Sequence, residues 1–65
     1  MKVLTAEKVK RLKPGTDVFV VNEATGERGM LRIVKSGREK VLQGVFARYE
    51  IRDLPGTHYE VEDKK

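Results

Sequence analysis

The run Gly29-Met30-Leu31-Arg32-Ile33-Val34-Lys35-Ser36-Gly37-Arg38-Glu39-Lys40-Val41-Leu42-Gln43 sets two apolar segments on either side of a Ser-Gly pair. Side chains branched at Cβ lose rotamers in a helix and pack well on a pleated surface, so Ile33, Val34 and Val41 favour strands. A short loop holding glycine then joins the two segments as an antiparallel hairpin turning at Ser36-Gly37. In that register Leu31 faces Leu42 and Ile33 faces Lys40. Leu31, Ile33 and Leu42 share one face, and Met30, Arg32, Val34 and Val41 share the other. Neither face is cleanly polar, so the hairpin is expected to be covered on both sides or to pair with a second subunit.

The same pattern continues toward the C-terminus. Between Val45 and Asp53, Val45, Ala47, Tyr49 and Ile51 point one way, and Arg48, Glu50 and Arg52 the other. Phe46 breaks the alternation on the polar side. Gly44 in front of it marks a bulge or sharp bend. Leu54-Pro55-Gly56-Thr57 has proline and glycine where a type II turn wants them. The last strand, Thr57 to Glu62, turns Tyr59 and Val61 inward and His58, Glu60 and Glu62 outward. Pairing it with the Val45–Asp53 strand requires a loop of three or five residues, because a two-residue turn would set Ile51 against Glu60. Residues 63–65 form a tail.

Toward the N-terminus, Asp17-Val18-Phe19-Val20-Val21 is an apolar run short enough for a buried strand. Asn22 to Gly26 is a polar loop. The first fifteen residues read differently. Thr5 is placed as the N-cap of a helix over Ala6 to Lys13, with Glu7 in its positive first turn. Leu4 and Val9 occupy the positions of a hydrophobic staple, and Pro14-Gly15 ends the segment. The competing reading is an extended N-terminal arm.

Composition agrees with strands. Nine Val, two Ile, two Phe and two Tyr stand against five Leu and three Ala, with six Gly and two Pro as punctuation. At 65 residues with 38% apolar and 37% charged side chains, the chain is expected to be one domain with a thin core. Residues 1–13 form the helix or arm and residues 16–62 the β-body. Cysteine is absent, which removes disulfides and thiolate metal sites. No apolar run reaches the roughly 18–20 residues of a membrane span, and no signal-peptide pattern follows Met1. A cytoplasmic protein is expected.

About five short antiparallel strands bent at Gly44, preceded by a short helix, suit a small closed or half-open barrel, which hides sheet edges. Leu12-Lys13-Pro14-Gly15-Thr16-Asp17-Val18-Phe19-Val20 resembles the L-x-P-G-x-x-V-x-V opening strand of SH3-like barrels, a group that includes the KOW-type domains of transcription and translation factors. The resemblance covers about nine residues, and no Gly-x-x-Gly-x-Val segment follows where the KOW pattern has one. It implies a mainly β, SH3-like barrel.

The net charge of +4 is concentrated. Residues 27–52 carry seven basic side chains against Glu27, Glu39 and Glu50. Arg28, Arg32, Lys35, Arg38, Lys40, Arg48 and Arg52 are therefore the candidate phosphate contacts of a DNA- or RNA-binding surface, with Lys8, Lys10 and Arg11 second in rank. Such a surface gives sequence-independent affinity that falls steeply with salt. Phe46 is the one aromatic free for base stacking, since Phe19, Tyr49 and Tyr59 are wanted in the core. The alternative is a solvated, solubilising surface on a protein-interaction or homo-oligomeric module, with Met30, Val34 and Phe46 as the contact residues.

Catalytic constellations are missing from the sequence. His58 is the only histidine, expected to be an exposed turn residue with Asp53 alone in reach. One histidine and scattered carboxylates do not make a metal site. Gly26-Glu27-Arg28-Gly29 is too short and acidic for a phosphate loop, and Ser36, the only serine, belongs to a turn. A non-enzymatic protein without cofactor or metal is expected.

Overall fold

The computed structural model describes residues 2–62, so the tail expected over residues 63–65 lies outside the described residues. The Ser36-Gly37 hairpin forms the middle of a single antiparallel sheet. Its strands are β1 (Lys2–Leu4), β2 (Asp17–Asn22), β3 (Arg28–Ser36), β4 (Glu39–Gln43), β5 (Arg48–Glu50) and β6 (Thr57–Val61), with helix α1 (Ala6–Lys10) between β1 and β2. Their spatial order is β1-β6-β2-β3-β4-β5. The fold is mainly β, as expected, but has six strands rather than five. The addition is β1, which pairs with β6 through Lys2–Val61 and Leu4–Tyr59.

Three expectations are corrected. First, the β3–β4 register sets Ile33 opposite Leu42, Lys35 opposite Lys40 and Ser36 opposite Glu39, two residues from the expected one. The loop is therefore Gly37-Arg38, with Gly37 at φ 63 in the first central position, where a type II′ hairpin turn requires a residue free of a Cβ. Secondly, the strand expected over Val45–Asp53 contracts to Arg48–Glu50, because Gly44 to Ala47 forms a hairpin turn closed by the Gly44 N–H donating to the Ala47 carbonyl at 2.8 Å. Thirdly, β6 does not pair with β5. It inserts between β1 and β2, with Phe19–Glu60 and Val21–His58 among its pairs.

One face of the sheet and α1 enclose the core of Leu4, Ala6, Val9, Val18, Ile33, Leu42, Ile51 and Tyr59. Ile33 and Leu42, directly opposed, are wholly inaccessible. The face assignments of Leu31, Ile33 and Leu42 against Met30, Arg32, Val34 and Val41 therefore hold despite the slipped register, since a shift of two residues preserves side-chain direction. Tyr49 and Phe19, both expected in the core, are the exceptions. Tyr49 lies on the inner face but on the edge strand β5, and it is 53% exposed. Phe19 alternates to the outer face opposite Met30, where it is half-buried outside the core.

The chain beyond β5 folds back over the opposite part of the sheet. The Tyr59 hydroxyl donates to the Arg52 carbonyl at 2.7 Å and accepts from the Arg52 N–H at 3.3 Å. Asp53 accepts from the Ala6 N–H at 3.0 Å, so a carboxylate 47 residues away satisfies an open donor at the start of α1. The described ladders include none between β1 and β5, so side-chain bonds rather than strand pairing draw the ends of the sheet together.

α1 is shorter than the expected Ala6–Lys13. Thr5 caps it as read from sequence, accepting weakly from the Lys8 N–H, and the staple residues Leu4 and Val9 are both buried. Lys40 closes its other end. The ammonium reaches from β4 to donate to the carbonyls of Lys10 (3.1 Å) and Leu12 (2.7 Å). A five-residue helix cannot hold itself in water; this one is held by a buried valine and two distant polar side chains, Asp53 and Lys40.

Candidate functional site

The seven cationic candidates do not share one environment. Arg28 lies 2.9 Å from Glu60, and Arg32 lies 3.1 Å from Asp17 on the neighbouring strand. Lys40 is engaged with the end of α1. Arg48 donates from Nε to the Gln43 amide oxygen at 2.7 Å, across the β4–β5 pair. Lys35, Arg38 and Arg52 are exposed on or near strand ends. Of the second-rank residues, Arg11 pairs with Glu7 one turn earlier, while Lys10 lines a groove together with Arg38 and Lys40. Lys8, on the exposed side of α1, is joined to neither group.

The outer face of the sheet carries an array that the sequence did not announce. His58 was expected to be an exposed turn residue beside Asp53. It is instead held between two carboxylates, Nδ1 at 2.9 Å from Glu23 and Nε2 at 2.7 Å from Glu60. Glu60 points outward as expected but retains only 11% of its side-chain exposure. Its second oxygen would be an orphan without the Arg28 guanidinium beside it. The four groups alternate in sign as Glu23, His58, Glu60 and Arg28. Strand pairing explains the assembly, because Val21 sits opposite both His58 and Arg28 and so brings β6 and β3 to the same row of β2.

Because both ring nitrogens face carboxylates, the doubly protonated imidazolium suits the site best. The hydrogen bond to Glu60, then that to Glu23, raises the His58 pKa above its ordinary 6.5. The bond from His58, helped by the Arg28 charge against partial burial, lowers Glu60 below 4.5. The histidine thus adds stability at pH values below 6.5, and this contribution is lost as pH rises through its raised pKa. The glutamate adds stability above pH 4.5, and that is lost as pH falls through its lowered pKa. The array is most stabilising between those limits. An NMR titration of the His58 ring is expected to show a midpoint above 6.5, moving down in Glu60→Gln; a midpoint at or below 6.5 in the parent chain contradicts the arrangement. Among the described residues no group of three or more histidine, aspartate or glutamate side chains is disposed to hold a metal ion.

The most exposed apolar residues lie elsewhere. Val45 and Phe46 form the tip of the β4–β5 hairpin and are 89% and 98% exposed. Gly44, beneath them, is confined by packing. A Cβ there would come within 3.0 Å of the Leu31 side chain and 3.3 Å of the Ala47 carbonyl oxygen, so a larger residue would push its neighbours by a few tenths of an ångström. Beyond the turn β5 runs along the sheet margin with all three residues exposed. On its inner side a groove of about 450 Å³ is lined by Val20, Leu31, Tyr49, Leu54 and Tyr59. Of the residues assigned to a contact surface, Phe46 belongs to this margin. Met30 is exposed on the outer face, in the row of Phe19, and Val34 is half-buried opposite Val41. The sequence had placed Phe46 within a strand. The pair Gly44-Val45 could have signalled a turn, but two consecutive bulky apolar residues at a hairpin tip run against turn chemistry.

Comparison of the chain with protein-family models, curated proteins and solved structures returns no significant match.

Proposed function

We propose that this chain is a small non-enzymatic interaction module, an SH3-like half-open barrel that makes protein contacts through β5 and the hairpin tip before it. The Val45-Phe46 tip carries the reading. Two large apolar side chains at a turn expose hydrocarbon to water with no benefit to the fold, and an adjoining open strand edge offers backbone donors and acceptors to a partner. The reading is tested by following amide shifts over a concentration series from 20 µM to 1 mM. Residues from Val45 to Glu50 are expected to move, and Phe46→Ser is expected to abolish the movement while leaving the remaining spectrum intact. Uniform, concentration-independent shifts contradict self-contact through this margin.

A phosphate-binding reading is supported more narrowly, by Lys10 and Arg38 on one groove that Glu39 and Glu50 also line, with Lys35 exposed at the neighbouring strand end. On this reading DNA or RNA lies near the β3–β4 tip, over a groove that Glu50 of β5 also lines. Polarisation titration with duplex and single-stranded oligonucleotides at low salt decides it. Binding that weakens with salt and with Arg38→Ala supports this reading, and none at tens of micromolar removes it.

A further inference from the structure

We infer that β5 pairs with β5 of a second copy of this chain, antiparallel about a two-fold axis through Tyr49. This inference rests on the interaction reading above and names its partner and register.

Hydrogen-bond phase supplies the first argument. Opposite residues of an antiparallel ladder alternate between pairs that exchange backbone bonds and pairs that do not. The Gly44 N–H bonds to the Ala47 carbonyl, so Ala47 is directed at β4. The register Leu42–Tyr49 then directs Tyr49 at β4 as well, leaving the N–H and C=O groups of Arg48 and Glu50 pointing off the sheet. A second β5 can bond to this edge only by matching outward residues with outward residues.

Three symmetric registers satisfy that condition within the strand. One centred on Arg48 stacks two guanidinium groups, and one centred on Glu50 stacks two carboxylates; like charges directly opposite one another are destabilising. The register centred on Tyr49 sets Arg48 against Glu50 of the second copy, and Glu50 against its Arg48. Both cross-strand pairs are then of opposite sign, and the outward backbone groups of all four residues are matched. Tyr49 meets its own equivalent in the close, non-bonded position, on the inner side where Leu54 continues the groove. The charges are available. Arg48 is engaged within the chain only through Nε to Gln43, and Glu50 makes no hydrogen bond or ion pair among the described residues. The contact is isologous, so it closes as a dimer and consumes the β5 edge, leaving β1 as the outer strand of each copy.

Sedimentation equilibrium on the whole chain, with Arg48→Glu, Glu50→Arg and the double exchange, tests the register. The parent chain is expected to dimerise. Each single exchange creates two like-charged pairs and is expected to weaken dimerisation by about tenfold or more, and the double exchange to restore it within about threefold. A strictly monomeric parent at 1 mM overturns the dimer. Concentration-dependent shifts at Val45 to Glu50 that ignore all three exchanges overturn the register while leaving the contact surface standing. Circular dichroism of each variant separates lost pairing from lost folding.

Discussion

Leu42→Ala is expected to leave the chain without a cooperative thermal transition at 25 °C and with collapsed amide dispersion. Leu42 and Ile33 are fully inaccessible and face each other across the central β3–β4 pair, at the point where α1 and Ile51 also pack. Truncating a buried leucine to alanine costs about 2–5 kcal/mol, through lost transfer energy and an unfilled cavity. A single core in a chain this short rarely supplies more than roughly 3–5 kcal/mol. The two quantities are of the same size, so one truncation spends the whole margin. Val41→Ala, the neighbour on the outer face and only half-buried, is the control and is expected to remain folded. A folded Leu42→Ala variant within about 1 kcal/mol of the parent places the decisive packing elsewhere.

Lys40→Met is expected to destabilise the chain by about 1–2 kcal/mol and to release α1 first. The methionine keeps an apolar stem of similar length but removes the ammonium that bonds the Lys10 and Leu12 carbonyls. The Lys10 carbonyl ends the helix without an internal partner and that of Leu12 lies just beyond it; leaving the partly buried Leu12 acceptor unpaired carries a cost of that order. Hydrogen exchange is expected to accelerate at Val9 to Leu12 more than in β3. Lys35→Met makes the contrast. Lys35 sits directly opposite Lys40 but is exposed, so its replacement is expected to change stability by less than about 0.5 kcal/mol. If Lys40 instead served a phosphate, its loss would weaken oligonucleotide binding and leave α1 protected.

The contrast between Lys35 and Lys40 shows where sequence reasoning stops. Alternation correctly assigned the faces of β3 and β4, because direction repeats every second residue. A slip of two residues is invisible to that pattern, and here it exchanged the partner of Ile33 from Lys40 to Leu42. The deciding signal was the positive φ needed at Gly37, which moves the loop one residue on. Thr5, Leu4 and Val9 announced α1 because caps and staples are local. Its far end depended on Lys40, thirty residues away, and could not be read. The same holds for the candidate site. Seven cations were legible as a charge surplus, but their destinations depended on which acids the topology brought near. Glu60 meets Arg28 only because β6 lies beside β2, and no local pattern placed it there.

That placement of β6 also orders the assembly of the fold. β2 to β5 form a meander in which each strand pairs with its successor, so only short loops need close. β6 must instead find a slot between β1 and β2, matching Val61 with Lys2 and Glu60 with Phe19 across most of the chain. Entropy for such distant closures must be surrendered before the contacts repay it, which favours the meander as the early species and the arrival of β6 as the late step. Until then Val18, Val20 and Phe19 present a bare margin beside a nearly complete meander. The chain's greatest exposure to misassembly therefore falls in that interval, at a β2 margin that β6 and then β1 cover in the finished protein.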